Sequence, residues 1–222
     1  MQISNVIIVV LIGTLAPACA TRKPMALDSA TTVNTSKESI VLLSVRTENR
    51  YKPDWQLEVW GVAIAGGNFR SREEYEFRVG NNSVFDLTST KERPHEYLMS
   101  FQLPPGNYHL NWMRGLSRGI IITSNFEVPV NLAFDVNPRE IIYLGRIEAI
   151  LRERTNEQEV RAGTLMIPVI DQAITGMLTG TFDVTVSDNF VQDIQSFRQK
   201  YPALDNRRVG KRVLPPWTRP LP

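Results

Sequence analysis

Leu103-Pro104-Pro105-Gly106-Asn107-Tyr108 is the stretch on which the reading of the fold turns. Pro105 presets φ for the first central position of a β-turn, and Gly106 accepts the positive φ of the second. On either side lie short runs rich in apolar and aromatic residues, 97–103 and 108–113. The segment therefore predicts a β-hairpin, in which His109 faces the region of Gln102 and His95 lies well along the partner strand.

Working outward, the same texture recurs. Upstream, residues 40–46 are rich in branched apolar side chains, and 56–64 alternate before Gly66-Gly67-Asn68 stops them. Residues 74–79 and 83–87 are further strand candidates, and downstream come 120–123, 131–136, 140–150 after the Asn137-Pro138 turn, and 180–186. Short strands at this spacing without intervening helices predict a mainly β fold, an antiparallel β-sandwich. One C-terminal α-helix is expected near 188–201. Ser187 or Asp188 can cap it, Phe190, Val191, Ile194, Phe197 and Tyr201 share a face, and Pro202 stands where it would stop. That stripe packs on the sandwich or, alternatively, receives a partner.

Together with Phe134-Asp135-Val136 and Ile142-Tyr143-Leu144-Gly145-Arg146, the 103–108 segment resembles the body of uncharacterised envelope lipoproteins with a transthyretin-like or carboxypeptidase-regulatory-like β-sandwich. The resemblance covers residues 40–150. It implies a fold and leaves activity open.

The start of the chain points to a location. Residues 1–21 carry no charged side chain, and 6–15 are apolar apart from Gly13 and Thr14, which is the layout of an export signal. A membrane-spanning helix needs roughly 20 apolar residues, and here Pro17, Arg22 and Lys23 follow too soon. Ala16-Pro17-Ala18-Cys19 resembles the lipobox of bacterial lipoprotein precursors, so Cys19, the sole cysteine, is implied to be the lipidation site and the mature N-terminus. With Ala20 rather than Asp next, the same resemblance implies the outer membrane. A secretory signal with an incidental Cys19, or an uncleaved tethering helix, is the alternative.

The expected organisation is a signal peptide (1–18), a lipid anchor and flexible tether (19–39), the β-sandwich with its helix (40–205) and a basic, proline-rich tail (206–222). The tail holds Arg207, Arg208, Lys211, Arg212 and Arg219, no acid and four prolines, a composition that predicts an extended or disordered segment. These five residues either contact an anionic surface, such as lipopolysaccharide, phospholipid headgroups or peptidoglycan, or are simply solvated. Overall charge is balanced, with 25 Lys and Arg against 23 Asp and Glu, so no nucleic acid partner is suggested.

Catalytic patterns are sparse. Gly115-Leu116-Ser117-Arg118-Gly119 matches a nucleophile elbow, but the β-branched residues after it read as strand, and both histidines precede Ser117 in the chain. A glycine-bounded hairpin loop is expected there. No metal or cofactor is expected, since HxxxH and CxxC spacings and phosphate-binding glycine loops are lacking. Glu73, Glu74 and Glu76 sit among Arg70, Arg72 and Arg78 and read as a solvated stretch. Trp55, Trp60 and Trp112 read as core, with a sugar-stacking platform as the alternative. The alternating charges of 146–161 read as the exposed face of a hairpin. The expected role is a lipid-anchored binding or structural module without enzyme activity. Its partners are the membrane, through the N-terminal lipid, and an anionic envelope surface. An accessory subunit of an envelope or secretion complex, and a hydrolase of envelope glycan or lipid, are the alternatives.

Overall fold

The computed structural model describes residues 20–28, 32–68, 71–80, 94–163 and 169–220. The leader, Cys19 and the strand expected at 83–87 lie outside the described residues. In chain order the elements are β1 (Thr21–Pro24), β2 (Ser39–Asn49), β3 (Glu58–Asn68), β4 (Ser71–Arg78), β5 (His95–Leu103), β6 (Gly106–Arg118), β7 (Thr123–Val136), β8 (Ile141–Glu153), α1 (Val169–Ile174), β9 (Gly180–Ser187), α2 (Phe190–Lys200) and β10 (Gly210–Lys211).

The fold is mainly β, but its two sheets are mixed rather than antiparallel. One sheet runs β1-β4-β3-β6-β7, the other β10-β8-β2-β5 with β9 also on β8. β1 is parallel to β4, and β8 is parallel to both β2 and β10. β2 and β8 run parallel because both leave the same end of the molecule, Ile40 standing opposite Ile141.

The expected 97–113 hairpin does not form. β5 pairs with β2, Leu103 opposite Ser39, while β6 begins in the other sheet with Gly106 opposite Val136. Pro104 and Pro105 have no N–H to donate to a ladder, so pairing stops and the chain steps across to the second sheet. The Tyr108 hydroxyl donates to the Pro104 carbonyl at 2.8 Å and holds the crossing. β7 and β8 are joined across the same end, the crossing end. His109 consequently stands between Ala65 and Ala133, not opposite Gln102.

Inward side chains of both sheets share one apolar cluster, including Val41, Leu43, Val62, Ile64, Met99 and Met113, with the Phe77 and Phe101 rings 4.9 Å apart. A second cluster lies beneath α2, where Ile194, Phe197 and Tyr201 meet Ile40, Leu42, Leu98 and Tyr143. β2 is therefore covered on both faces where it crosses the core, which is why Ile40, Val41, Leu42 and Leu43 form an unbroken apolar run. Val191 alone of the predicted stripe points to solvent. β3 continues through Gly66 and Gly67, whose φ angles of 137° and 138° are open only to glycine. A Cβ on Gly66 would overlap the Asn107 carbonyl.

The described residues of both terminal segments expected to be loose are packed onto the body. The supposed tether pairs with β4 through Thr21–Pro24, buries Met25 and Leu27, and donates Ala26 N–H to the Ser100 carbonyl at 2.8 Å. The supposed disordered tail adds β10 to β8 and continues its ladder, Arg212 N–H reaching Tyr143 and Leu214 N–H reaching Leu144. Leu214 is buried, and the Trp217 indole donates to the Pro129 carbonyl at 2.9 Å. A few apolar anchors at ladder spacing suffice, because the intervening prolines have no N–H requiring a partner. Residues 120–122 are likewise not a strand. They turn β6 into β7, Gly119 N–H donating to the Ile122 carbonyl, and leave Ile120 and Ile121 93% and 91% exposed.

Candidate functional site

The crossing end carries three exposed arginines, Arg139, Arg207 and Arg208. Its β7–β8 turn is tied tightly. Ser39 Oγ donates to the Asn137 carbonyl at 2.6 Å and accepts from Glu140 N–H, while Asn137 N–H donates to Glu140 Oε1 at 2.6 Å. The apex is Arg139, an exposed residue at φ 60°. Beside it, α2 is stopped by Pro202, a 3-10 turn spans Pro202–Leu204, and Asn206 at φ 59° redirects the chain into Arg207 and Arg208. Arg207 N–H donates to the Leu204 carbonyl at 3.1 Å, and Arg198 donates to the Arg207 carbonyl at 3.0 Å.

The five basic tail residues divide into two groups. Lys211 pairs with Asp188 at 2.7 Å, Arg212 with Glu140 at 2.8 Å, and Arg219 with Asp183. Their charge is spent on fastening the tail. Arg207 and Arg208 are exposed and, among the described residues, stand in no ion pair. Cys19 lies outside the described residues, but β1 begins two residues later and runs from the level of Tyr75 toward Arg78. The chain thus enters β1 from the side of the crossing end.

Other candidates are not brought together. Ser117 is buried inside β6, not in a loop, and its Oγ has no hydrogen-bond partner. The bounding glycines have packing reasons. A Cβ on Gly115 would overlap the Phe126 ring and the Glu58 carbonyl, and one on Gly119 would lie 2.6 Å from the Trp55 ring. His95 stands opposite Thr47 and His109 opposite Ala133, in different sheets. Glu76 pairs with Arg22. No group of three His, Cys, Asp or Glu among the described residues is placed to hold a metal.

None of Trp55, Trp60 and Trp112 is buried in the core. Trp60 is partly exposed, and Trp112 is half-buried on the outer face with the Arg114 guanidinium 3.6 Å from its ring centroid. Arg114 is in turn held by Glu127 at 2.7 Å. The charged run 146–161 is not an open hairpin face. Arg146 is enclosed under α2, and Arg152 grips the buried Glu159.

A polar knot escaped the sequence reading. The Tyr143 hydroxyl donates to Asp193 Oδ2, and Arg146 Nη2 donates to Asp193 Oδ1 at 2.6 Å, with Asp193 fully buried. Burial first, and then the hydrogen bond to Asp193, push the Tyr143 phenol far above its usual range. The only sequence sign was an Asp on the edge of the apolar stripe of α2. Arg139 was also missed. Its exposed position in a tight turn beside an ordered tail depends on contacts far apart in sequence.

No family model, curated protein or solved structure matches this chain.

Proposed function

We propose that this chain is a lipid-anchored binding module of the bacterial cell envelope, carried on a β-sandwich and held at the outer membrane by acyl groups on Cys19. The observation that carries the reading is the start of β1 at Thr21, laced to β4, with Arg207 and Arg208 open at the crossing end. So short a spacing leaves no long tether. A membrane holding Cys19 would lie against the crossing end, where exposed arginines favour an anionic surface. Several acyl chains would make attachment lasting, since each buried methylene contributes about 0.8 kcal/mol. The shared core of the two sheets supports the sandwich, and the resemblance to transthyretin-like envelope lipoproteins belongs to the same proposal.

The test is C19S expressed in cells fed labelled fatty acid. The parent chain should carry label and sediment with membranes, and C19S should do neither. Label and sedimentation unchanged in C19S would remove the anchor.

A second reading, an accessory subunit of an envelope protein complex, draws on the opposite end. Ile120 and Ile121 are almost wholly exposed there. Exposed Val169 and Ile170 of α1 lie nearby, because Asp171 accepts from Thr123 N–H at 3.1 Å. That tip is about 40 Å from the crossing end along β6, so it would face away from the anchoring membrane. Crosslinking in intact cells, lost in an I120S/I121S variant, would support it. Crosslinks unaffected by that variant would count against it.

A further inference from the structure

We propose that Arg139, Arg207 and Arg208 form a binding site for a phosphate group at the crossing end. The inference rests on the reading of that end as membrane-facing only for the source of the ligand, not for its chemistry.

The three arginines line one open cavity of about 540 Å³, together with Thr35, Glu140 and Asn206. A neighbouring recess of about 500 Å³ shares Asn206, Arg207 and Arg208, and adds Arg198 and Asp205. Many arginines elsewhere are neutralised in place. Arg114, Arg118, Arg146, Arg152, Arg212 and Arg219 each sit on a carboxylate. The three at the cavity stand in no ion pair among the described residues. The one carboxylate in the lining, Glu140, is already engaged by both Arg212 and Asn137 N–H.

Like charges gathered on one rim repel, so the arrangement gains stability when an anion occupies it. The scaffold is also set beforehand. Arg139 and Asn206 hold left-handed φ angles that residues with side chains adopt at a cost, and such costs cluster where a binding geometry is required. Hydrogen bonds to Ser39, Asn137 and Leu204 fix the main chain around them. A guanidinium presents paired N–H donors that match two oxygens of a phosphate. Three of them, with the Thr35 hydroxyl and the Asn206 amide at the same rim, suit a tetrahedral oxyanion better than a planar carboxylate. The opening admits either a soluble phosphomonoester or the headgroup of an anionic phospholipid.

The test uses the full chain carrying C19S, so that no acyl group contributes, compared with the same chain carrying R139Q/R207Q/R208Q. R118Q at the opposite end serves as the surface-charge control, and circular dichroism checks that each variant is folded. The probes are glycerol 3-phosphate by calorimetry and vesicles of phosphatidylglycerol in phosphatidylcholine by co-sedimentation, each at low and high salt. The triple variant should lose affinity by about tenfold or more, while R118Q binds as the parent does. Binding of glycerol 3-phosphate identifies a site for soluble phosphate, and binding of vesicles alone identifies a headgroup site. No binding of either probe by the parent, or equal binding by the folded triple variant, would overturn the site. Because acylation is absent throughout, that failure leaves the anchor reading standing, and failure of the fatty-acid labelling leaves this site standing.

Discussion

The indole N–H of Trp217 donates to the main-chain carbonyl of Pro129 at 2.9 Å, so the C-terminal tail caps the open edge of β7. Along that edge, Glu127 N–H is taken by the Ala162 carbonyl and the Asp135 carbonyl by Arg212, while Gln172, with its amide oriented to suit, bonds both main-chain groups of Asn125. A long edge strand left unpaired invites pairing with other chains. The tail is thus part of the folded body. Removal of residues 206–222 should lower the urea midpoint sharply. L214A alone should cost about 2–4 kcal/mol, and W217F, which keeps the ring and loses the donor, about 1 kcal/mol. A truncated chain as stable as the parent would contradict this packing.

Strand existence was legible where a single face is buried, as in the alternation of 131–136 within β7, and where both are, as in residues 40–43 of β2. Partnership was not. Pro105-Gly106 announces a reversal but carries no information on which sheet receives the chain next, since that choice is made by Ser39 opposite Leu103 and Val136 opposite Gly106. The tail misled for a related reason. Arg212 and Arg219 find Glu140 and Asp183 far back in the chain, and a composition rule sees only the five local charges. Asn137-Pro138 marks the turn before β8, but the left-handed conformation of Arg139 at its apex leaves no sequence mark, because it is imposed by contacts with Ser39 and Glu140.

Asp193 should be the most sensitive position on α2. It is fully buried and bonded by both Tyr143 and Arg146. Removing one partner from such a cluster leaves the others desolvated and unpaired, at about 3–5 kcal/mol for D193A. Y143F, which deletes one hydrogen bond to a carboxylate, should cost about 1.5–3 kcal/mol. Chemical denaturation of both variants checks the order. A D193A chain no less stable than Y143F would refute the arrangement.

The Gly115-to-Gly119 segment should respond as packing, not as a nucleophile. G115A forces a methyl group into the Phe126 ring and the Glu58 carbonyl and should destabilise by about 2–3 kcal/mol. S117A removes a buried hydroxyl that has no partner, and should leave stability unchanged or raise it. Thermal melts of the two variants decide the point. The packing account fails if S117A proves the more damaging of the two.

Glu159 offers a pH signature for the network that holds the tail. It accepts from Arg152 Nη1 at 3.0 Å, from Arg152 Nη2 and from Thr155 N–H at 2.8 Å, and Arg152 also binds Asp183, the partner of Arg219. The hydrogen bond from Arg152 is the main cause that brings the Glu159 carboxyl down to about 2, against an ordinary value of 4.5. Because the folded value is the lower one, the unfolded chain binds the proton more readily. The stabilisation is therefore complete above the ordinary carboxyl value and is lost progressively as pH falls through about 2. E159Q cannot titrate. It should be less stable than the parent at neutral pH, and the gap between their urea midpoints should narrow steadily as the solution is acidified below the ordinary value. Parallel pH profiles for the two chains would show that Glu159 is not held by Arg152 in solution.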